Sequence, residues 1–442
     1  MKINLQKLKT FYKSLPDELT YPLLYIPFGL FCGKSYRQDF SALQDSITLS
    51  NEQIELIRNQ KLITYVNDSI KHTKFYADTA KKLKIEQIVN VEQLLEFPLI
   101  SKEHIQNELD LFLDERYKKK RYKVTTGGTT GKQTALFLSN DCFGKEWAFV
   151  NSYLLANNVN VNAKRLCLRG VSGIKPSELL GYNFLYKELL ISPFRLNSES
   201  VIKSLSKIKK FQPKFIHGYP SSVKELSAIL ESNEETIDSI DTILLVSERI
   251  YPEQLLQIKK AFNANILSFY GMTERVIFAP LVDDVYIPNQ LYGITEEVNG
   301  ELIGTGFSNS ATRLIRYRTG DTATVTKSGN FVTKIDELTG RWGKEYLHGK
   351  TGVNITMTSL NTHCNALERV NKYQFYQTSI GTCELRLIVN SDFTNLDFKN
   401  VTDAFQDKVG NELDINCKIV NDIPLTSRGK HQFIVVELKN KD

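Results

Sequence analysis

Through the middle of the chain, short unbroken apolar runs alternate with longer stretches in which apolar residues return every three or four positions. Ser198 to Lys210 has the helical recurrence and is followed by the apolar pair Phe215-Ile216. Ser221 to Leu230 reads as a second helix, Thr242 to Val246 as a buried strand, Pro252 to Phe262 as a helix and Ile266 to Tyr270 as a strand. Short apolar strands separated by helices predict a parallel or mixed sheet covered on both faces, an α/β fold. Ligands of such sheets bind beyond the carboxyl ends of the strands. Three polar segments fall there: Gly218-Tyr219-Pro220-Ser221, Ser247-Glu248-Arg249 and Gly271-Met272-Thr273-Glu274. Their placement predicts that they meet in one crevice.

Upstream, Ser50 and Gln53 have capping-box spacing, and Leu62, Val66 and Ile70 recur on one face of the helix they open. Downstream of Arg341 the pattern changes. CELRLIV (383 to 389), INCKIV (415 to 420) and HQFIVVEL (431 to 438) are strand-like, and Phe398, Val401, Phe405 and Val409 share one helix face. These elements predict a small α+β module. With the boundary set at Gly340 to Glu345, the expected organisation is a large N-terminal α/β domain, residues 1–340 with a helical lead-in through 120. A mobile α+β C-terminal lid domain, residues 341–442, follows it.

The 442 residues are enough for a large core and for more than one domain. Hydrophobic (41%) and charged (24%) fractions are those of ordinary globular proteins. A net charge of +6 over this length gives no reason to expect a nucleic-acid partner. Cysteines at 32, 142, 167, 364, 383 and 417 form no CxxC pair and no cluster with histidine, which predicts free thiols in a reducing cytoplasm. Charged residues recur through Glu18, so the N-terminus lacks a signal-peptide layout. The uncharged stretch Tyr21 to Gly33 is too short to cross a bilayer and contains Pro22 and Pro27. It is expected to pack on the protein, with peripheral membrane association as the most it would support.

The densest chemical signal is Val124 to Gln133, VTTGGTTGKQ, with three glycines, four threonines and a lysine in ten residues. Gly127, Gly128 and Gly131 let the backbone approach a polyphosphate with its N–H groups turned inward. Thr126, Thr129 and Thr130 add hydroxyl donors, and Lys132 adds a point charge. It is not a Walker A loop, because Thr126 and Gln133 stand where that motif needs Gly and Ser/Thr. The run Lys118, Lys119, Lys120, Arg121 and Lys123 leads into it, either as a solvated face or as a positive field for a nucleotide triphosphate.

Four further segments follow in order: SFYGMTE (268 to 274), RYRTGD (316 to 321), Gly340-Arg341 and PLTSRGK (424 to 430). Together with the loop they resemble the adenylate-forming enzymes, the superfamily of acyl-CoA synthetases and peptide-synthetase adenylation domains. Within it the likeness is to the phenylacetate-CoA ligase branch and the CapK-like proteins of capsular polysaccharide biosynthesis. HTKFYADTAKKLKI (72 to 85) and VEQLLEFPLISKEHI (91 to 105) extend the resemblance upstream. Gly127, where many relatives have Ser, and Gln133, where Pro is usual, depart from it.

The resemblance implies that Thr126 to Lys132 holds the leaving pyrophosphate and that Tyr270 packs on adenine, with Gly271 and Met272 in the same nucleotide-binding segment. Thr273 and Glu274 would face the phosphates and Mg²⁺, Glu274 as metal ligand. Asp321 would take the ribose hydroxyls, Arg341 would reach the ribose or a phosphate, and Ser247 and Glu248 would border the nucleotide. Glu248 reads equally as a helix N-terminal carboxylate, and His217 as a pocket residue or a core histidine. Lys430 would be the adenylation lysine and Lys344 the hinge.

The implied reaction is ATP-dependent activation of a small carboxylic acid to an acyl-adenylate, with Mg²⁺ and pyrophosphate release. The acyl group would then pass to CoA, a carrier thiol, or a nucleotide- or lipid-linked amino sugar. The segment WGKEYLHGKTGVNI exceeds its counterpart in phenylacetate-CoA ligases, which keeps acceptors other than CoA open. An adenylyltransferase that leaves AMP on its acceptor and a silent nucleotide-binding relative are the alternatives.

Overall fold

The computed structural model describes residues 21–126, 134–170, 174, 178–339, 346–360, 365–424 and 432–438. The lead-in is helical: α1 (Gly33–Asp45), α2 (Asn51–His72) and α3 (Lys74–Leu83). Ser50 caps α2 as its spacing predicts. Its Oγ accepts the Gln53 N–H at 3.3 Å, and the Gln53 side chain accepts the Ser50 N–H at 2.9 Å. Two amides that a helix start leaves open are thereby satisfied. Leu62, Val66 and Tyr76 are buried in a core shared with Ile277 and Ile315.

Strands β1 (Arg121–Thr126) and β2 (Thr134–Ser139) pair antiparallel, Thr126 opposite Thr134, on either side of residues 127–133. After α4 (Cys142–Ala156) come β3 (Arg165–Leu168), β4 (Leu180–Asn183) and β5 (Glu188–Ile191). The expected alternation then appears as α5 (Ser198–Phe211), β6 (Phe215–Gly218), α6 (Pro220–Ser232), β7 (Thr242–Leu245), α7 (Pro252–Ala261) and β8 (Asn265–Gly271). Strands β3, β5, β6 and β7 are buried at all four positions. Both faces are covered, so the strands read as unbroken apolar runs. Leu166, Leu168, Ile216, Ile243 and Leu245 pack under Val201, Leu205, Leu226 and Ile258 of α5, α6 and α7. Phe215, Leu244 and Leu267 face the other way, against Tyr36 and Leu43 of α1 and Phe149 and Leu154 of α4.

The sheet does not end at β8. It continues through β9 (Phe278–Val282), β10 (Val285–Tyr286), β11 (Gly293–Val298), β12 (Glu301–Gly306), β13 (Tyr317–Ser328) and β14 (Phe331–Thr339), all antiparallel. The full order is β11-β12-β13-β14-β10-β9-β8-β7-β6-β3-β5-β4, twelve strands. Strand β8 joins the halves: Asn265–Ser268 run parallel to β7, and Phe269–Gly271 pair antiparallel with β9.

Beyond β15 (Tyr346–His348) and β16 (Asn354–Thr356), the smaller C-terminal domain has β17 (Val370–Ser379), β18 (Thr382–Val389), α8 (Asn395–Val409), β19 (Asp414–Ile419) and β20 (Ile434–Val436). Its sheet order is β19-β18-β17-β20. Val401, Phe405 and Val409 of α8 pack on Tyr373, Phe375, Leu385 and Leu387. The α+β character matches expectation, with β17 an additional strand. Among the described residues no helix is long and apolar enough to cross a membrane.

Buried charges fasten the lead-in to the antiparallel half. Arg313, 3% exposed, is paired with Asp68 and reaches Asp114 Oδ2 at 3.0 Å; Arg116 binds the same carboxylates at 2.7 and 2.6 Å. Burial pushes the Asp68 and Asp114 carboxyls up. The hydrogen bonds from Arg116 and the charges of Arg313 and Arg116 outweigh it and hold both below the ordinary aspartate value. A depressed carboxyl contributes stability that is present above the unfolded pKa, about 3.9, and is lost as pH falls through the folded value. Acidification below about pH 4 is therefore expected to lower the Tm steeply. Arg313→Met should cost roughly 3 kcal/mol at neutral pH and make the remaining acid dependence shallower. Parallel Tm–pH curves for the two proteins would contradict this assignment.

Candidate active site

Tyr270 lies in the part of β8 that has turned towards β9, and its Oη donates to Asp321 Oδ2 at 2.7 Å. A bulge in β13 sets the position of Asp321. Ile303 of β12 faces Arg318 and Glu301 faces Thr322, so Thr319, Gly320 and Asp321 stand out of register against one residue, Leu302. Gly320 has φ +75°, the left-handed conformation that glycine adopts without a Cβ penalty. Thr319 Oγ1 donates to the Leu302 carbonyl at 2.8 Å. Glu301 accepts the Gly320 N–H at 2.8 Å and Arg318 Nε at 2.9 Å. The TGD segment is a bulge stitched to its neighbour strand rather than a free turn.

The turn after β8 is closed by the Arg275 N–H on the Met272 carbonyl at 3.2 Å. Met272 packs into the core shared with α2 and α3. Arg275 adopts φ 61° and pairs with Glu146 at 2.5 Å, while Tyr292 Oη donates to the other Glu146 oxygen at 2.6 Å. With that end fixed, Thr273 lies within the turn and Glu274 is buried, 6% exposed, with Oε1 accepting Tyr317 Oη at 3.1 Å. The YGMTE and RYRTGD segments thus meet twice, through Tyr270–Asp321 and through Glu274–Tyr317.

The carboxyl ends of the parallel strands also converge. The Val246 N–H donates to Gly218 at 3.0 Å and the Tyr219 N–H to Leu168 at 2.9 Å. Ser247 has φ +69°, a strained value for a residue with a side chain. Glu248 Oε2 accepts the Ser221 N–H at 3.1 Å in the first turn of α6, and Oε1 accepts the Thr356 hydroxyl at 2.9 Å. These contacts put the Glu248 carboxylate at the N-terminus of α6, which the second reading describes and which does not exclude a place beside the nucleotide. The same carboxylate ties the large domain to β16.

His217 is 3% exposed, edge-on to Trp147 at 6.2 Å. Burial, with the charges of Arg169 and Arg165, holds its pKa well below 6.5, so the imidazole is neutral. Its Nδ1 and Arg169 Nε lack hydrogen-bond partners among the described residues. Burial pushes the nearby Tyr219 phenol up to about 12, against the pull of Arg169.

Thr126 is buried at the end of β1. Gly127, Gly128, Thr129, Thr130, Gly131, Lys132, Arg341, Lys344 and Lys430 lie outside the described residues. In the basic run, Lys118 and Arg121 pair with Glu115 at 3.5 and 3.4 Å and Lys123 with Glu368 at 2.7 Å, which favours a solvated, ion-paired face. An open surface groove of about 380 Å³ between Lys71–Ala77 and Asp114–Arg116 shares no residue with the crevice. Tyr317, Thr356 and Glu301 support the site without a role assigned from sequence. Tyr317 could have been found as a member of RYRTGD; Thr356 and Glu301 carry no local signal.

Residues 347–437 match the family described as the CapK C-terminal domain. Over 425 residues the chain is 25% identical to Protein CapK of Staphylococcus aureus, covering 92% of this chain and 93% of CapK. Among solved structures, 2-hydroxyisobutyryl-CoA ligase with 2-HIB-AMP and CoA in the thioesterification state has TM-score 0.52 at 14% identity, over 89% of this chain and 91% of that one. The same ligase in the postadenylation state with R3-HIB-AMP has TM-score 0.51 at 13% identity, over 88% and 90%. The fold is that of the adenylate-forming ligases, and the resemblance to CapK extends over nearly the whole chain.

The expectation that Asp321 takes the ribose hydroxyls, with Tyr270 beside it, gives a binding test. Asp321→Ala should weaken ATP binding by about tenfold or more, the effect of losing hydrogen bonds to a charged acceptor. Tyr270→Phe, which keeps the ring, should weaken it less. Titration calorimetry with ATP reads both; unchanged affinity in Asp321→Ala would remove this pair from nucleotide binding.

Proposed function

We propose that this chain, similar to CapK and built on the fold of the adenylate-forming ligases, uses ATP to convert a small carboxylic acid to an acyl-adenylate. Pyrophosphate leaves, and the acyl group then passes to an acceptor. The reading is supported above all by the meeting of YGMTE and RYRTGD, whose paired residues are 51 and 43 positions apart in sequence.

A carboxylate is a poor acyl donor because its oxygens leave poorly; AMP in place of one oxygen corrects that. The step brings two anions together, so it needs donors and cations where charge develops. Tyr270 offers a face for adenine, and Asp321, set sideways by the bulge, accepts the ribose hydroxyls. Thr126 to Lys132 cradles the leaving pyrophosphate, Arg341 reaches ribose or phosphate, and Lys430 stabilises charge at the α-phosphorus. Gly271 and Met272 shape the turn from which the Thr273 hydroxyl meets the phosphate.

Mg²⁺ usually takes one or two protein carboxylates and completes its shell with phosphate oxygens and water. No cluster of three or more His, Cys, Asp or Glu able to hold a metal occurs among the described residues. The single buried carboxylate of Glu274, oriented by Tyr317, fits such a shared site. The ion supplies neutralisation of the phosphate charge when bound.

Ser247 and Glu248 border the nucleotide side, and the Glu248–Thr356 bond supports a site closed by the C-terminal domain, 341–442, acting as a lid. His217 and Arg169 border the acid. The acceptor is CoA, a carrier thiol, or a sugar-linked amine or hydroxyl of surface polysaccharide biosynthesis. The reaction is placed in the bacterial cytoplasm, where ATP and these acceptors are available.

The test is pyrophosphate release from MgATP across aryl, hydroxy and amino acids, comparing wild type with Lys430→Ala and Glu274→Gln. Acid-dependent release is expected, falling roughly a hundredfold or more in Lys430→Ala, with free AMP among the products. Failure of every acid with ATP binding intact would contradict the reading, and AMP retained on the acceptor would convert it to adenylyl transfer. Equal release by Lys430→Ala would remove that lysine from catalysis.

A further inference from the structure

The segment ahead of α1 has an inner and an outer side. Residues 21–33 contain no charged side chain. They form a 3₁₀ turn, Tyr21–Tyr25, and a helical turn, Phe28–Phe31. On the inner side Leu24 is buried in the core with Phe184 and Leu189, and its carbonyl accepts the Lys187 ammonium. Cys32 is buried with Tyr36 against α4. Tyr21 meets Phe184 edge-on at 5.5 Å. These contacts hold the backbone while four apolar side chains are exposed. Tyr21 is 50% exposed, Tyr25 77%, Leu30 59% and Phe31 37%. Scattered exposed apolar residues are common, but four within eleven positions on an uncharged stretch form a patch of the kind that marks an interaction surface.

We propose that Tyr21, Tyr25, Leu30 and Phe31, followed in the chain by the exposed Lys34 and Arg37, dock the protein on an anionic lipid surface.

Charge selects this occupant. Lys34 and Arg37 are exposed at the start of α1, immediately beyond the patch. Across the described residues 21–37 the only charged side chains are Lys34 and Arg37, so this stretch carries positive charge with no acid to offset it. Basic residues beside an amphipathic apolar surface are attracted to anionic headgroups, and tyrosine suits the headgroup level because its ring is apolar and its hydroxyl wet. A second copy of this chain would bring the same positive charge against itself. A nucleic acid would meet the cations but leave Leu30 and Phe31 unmatched. The segment cannot cross a bilayer, so the contact lies in the interface plane.

The docking surface shares no residue with the proposed adenylation site, so each can fail without the other. The test is co-sedimentation of the full chain with vesicles of phosphatidylcholine and phosphatidylglycerol, roughly three to one, and with phosphatidylcholine alone. Binding is expected to the anionic vesicles, with at least about tenfold weaker partitioning onto neutral ones and a fall in high salt. Tyr25→Ser with Leu30→Ser and Phe31→Ser, and separately Lys34→Glu with Arg37→Glu, should each cut binding by about tenfold or more. Both variants alter exposed side chains, and an unchanged Tm confirms folding. No binding by wild type, or equal binding by the variants, would overturn the proposal. So would a wild-type dimer that the apolar variant dissolves, or binding to a single-stranded oligonucleotide that the apolar variant abolishes.

Discussion

Strand β8 must satisfy neighbours of opposite direction within seven residues. Its first four pair parallel with β7 and its last three antiparallel with β9. Backbone N–H and C=O groups buried in a sheet have to be paired, so neither half of the sheet can shift without breaking bonds in the other. The change of partner falls at Phe269 to Gly271. Tyr270 is therefore held at the junction of the parallel and antiparallel halves. The turn Gly271 to Glu274 starts from that joint, and the Asp321 carboxylate meets it at Tyr270.

The antiparallel half supplies what the parallel half lacks. Strand β13 brings Tyr317 to Glu274 and, through its bulge, Asp321 to Tyr270. Both carboxylates are oriented by phenol hydroxyls, which fix a geometry without adding charge to the site. Buried ion pairs hold the surrounding scaffold: Arg313 with Asp68 and Asp114 fastens the lead-in, and Arg275 with Glu146 fixes the end of the turn.

What the sequence displays locally, the structure repeats. The Ser50 capping box, the α5 to β8 alternation and the apolar face of α8 each depend on residues a few positions apart. A parallel or mixed sheet is expected, yet the antiparallel strands themselves are not legible: β13 reads YRTGDTATVTKS, polar and largely exposed on one face, with no apolar run to announce it. Strand β17, VNKYQFYQTS, is hidden differently: Gln374 and Gln377, though buried, interrupt its apolar residues. The motifs named the residues of the site, yet their partners were illegible: the bulge depends on register against β12, and Thr356 meets Glu248 across 108 positions. Tyr21 to Gly33 was expected to pack on the protein. Leu24 and Cys32 do, while Tyr25 and Phe31 are exposed, a division set by where β5 and α4 happen to run.

The central claim is that a carboxylate oxygen attacks the α-phosphorus of ATP. A carboxylic acid labelled with ¹⁸O in its carboxyl group tests it directly, since acyl transfer breaks the acyl–oxygen bond and leaves that oxygen on AMP. Mass spectrometry of the products should show AMP carrying one ¹⁸O, formed in step with the acylated acceptor. Unlabelled AMP, or acylated product formed without AMP, would contradict the account.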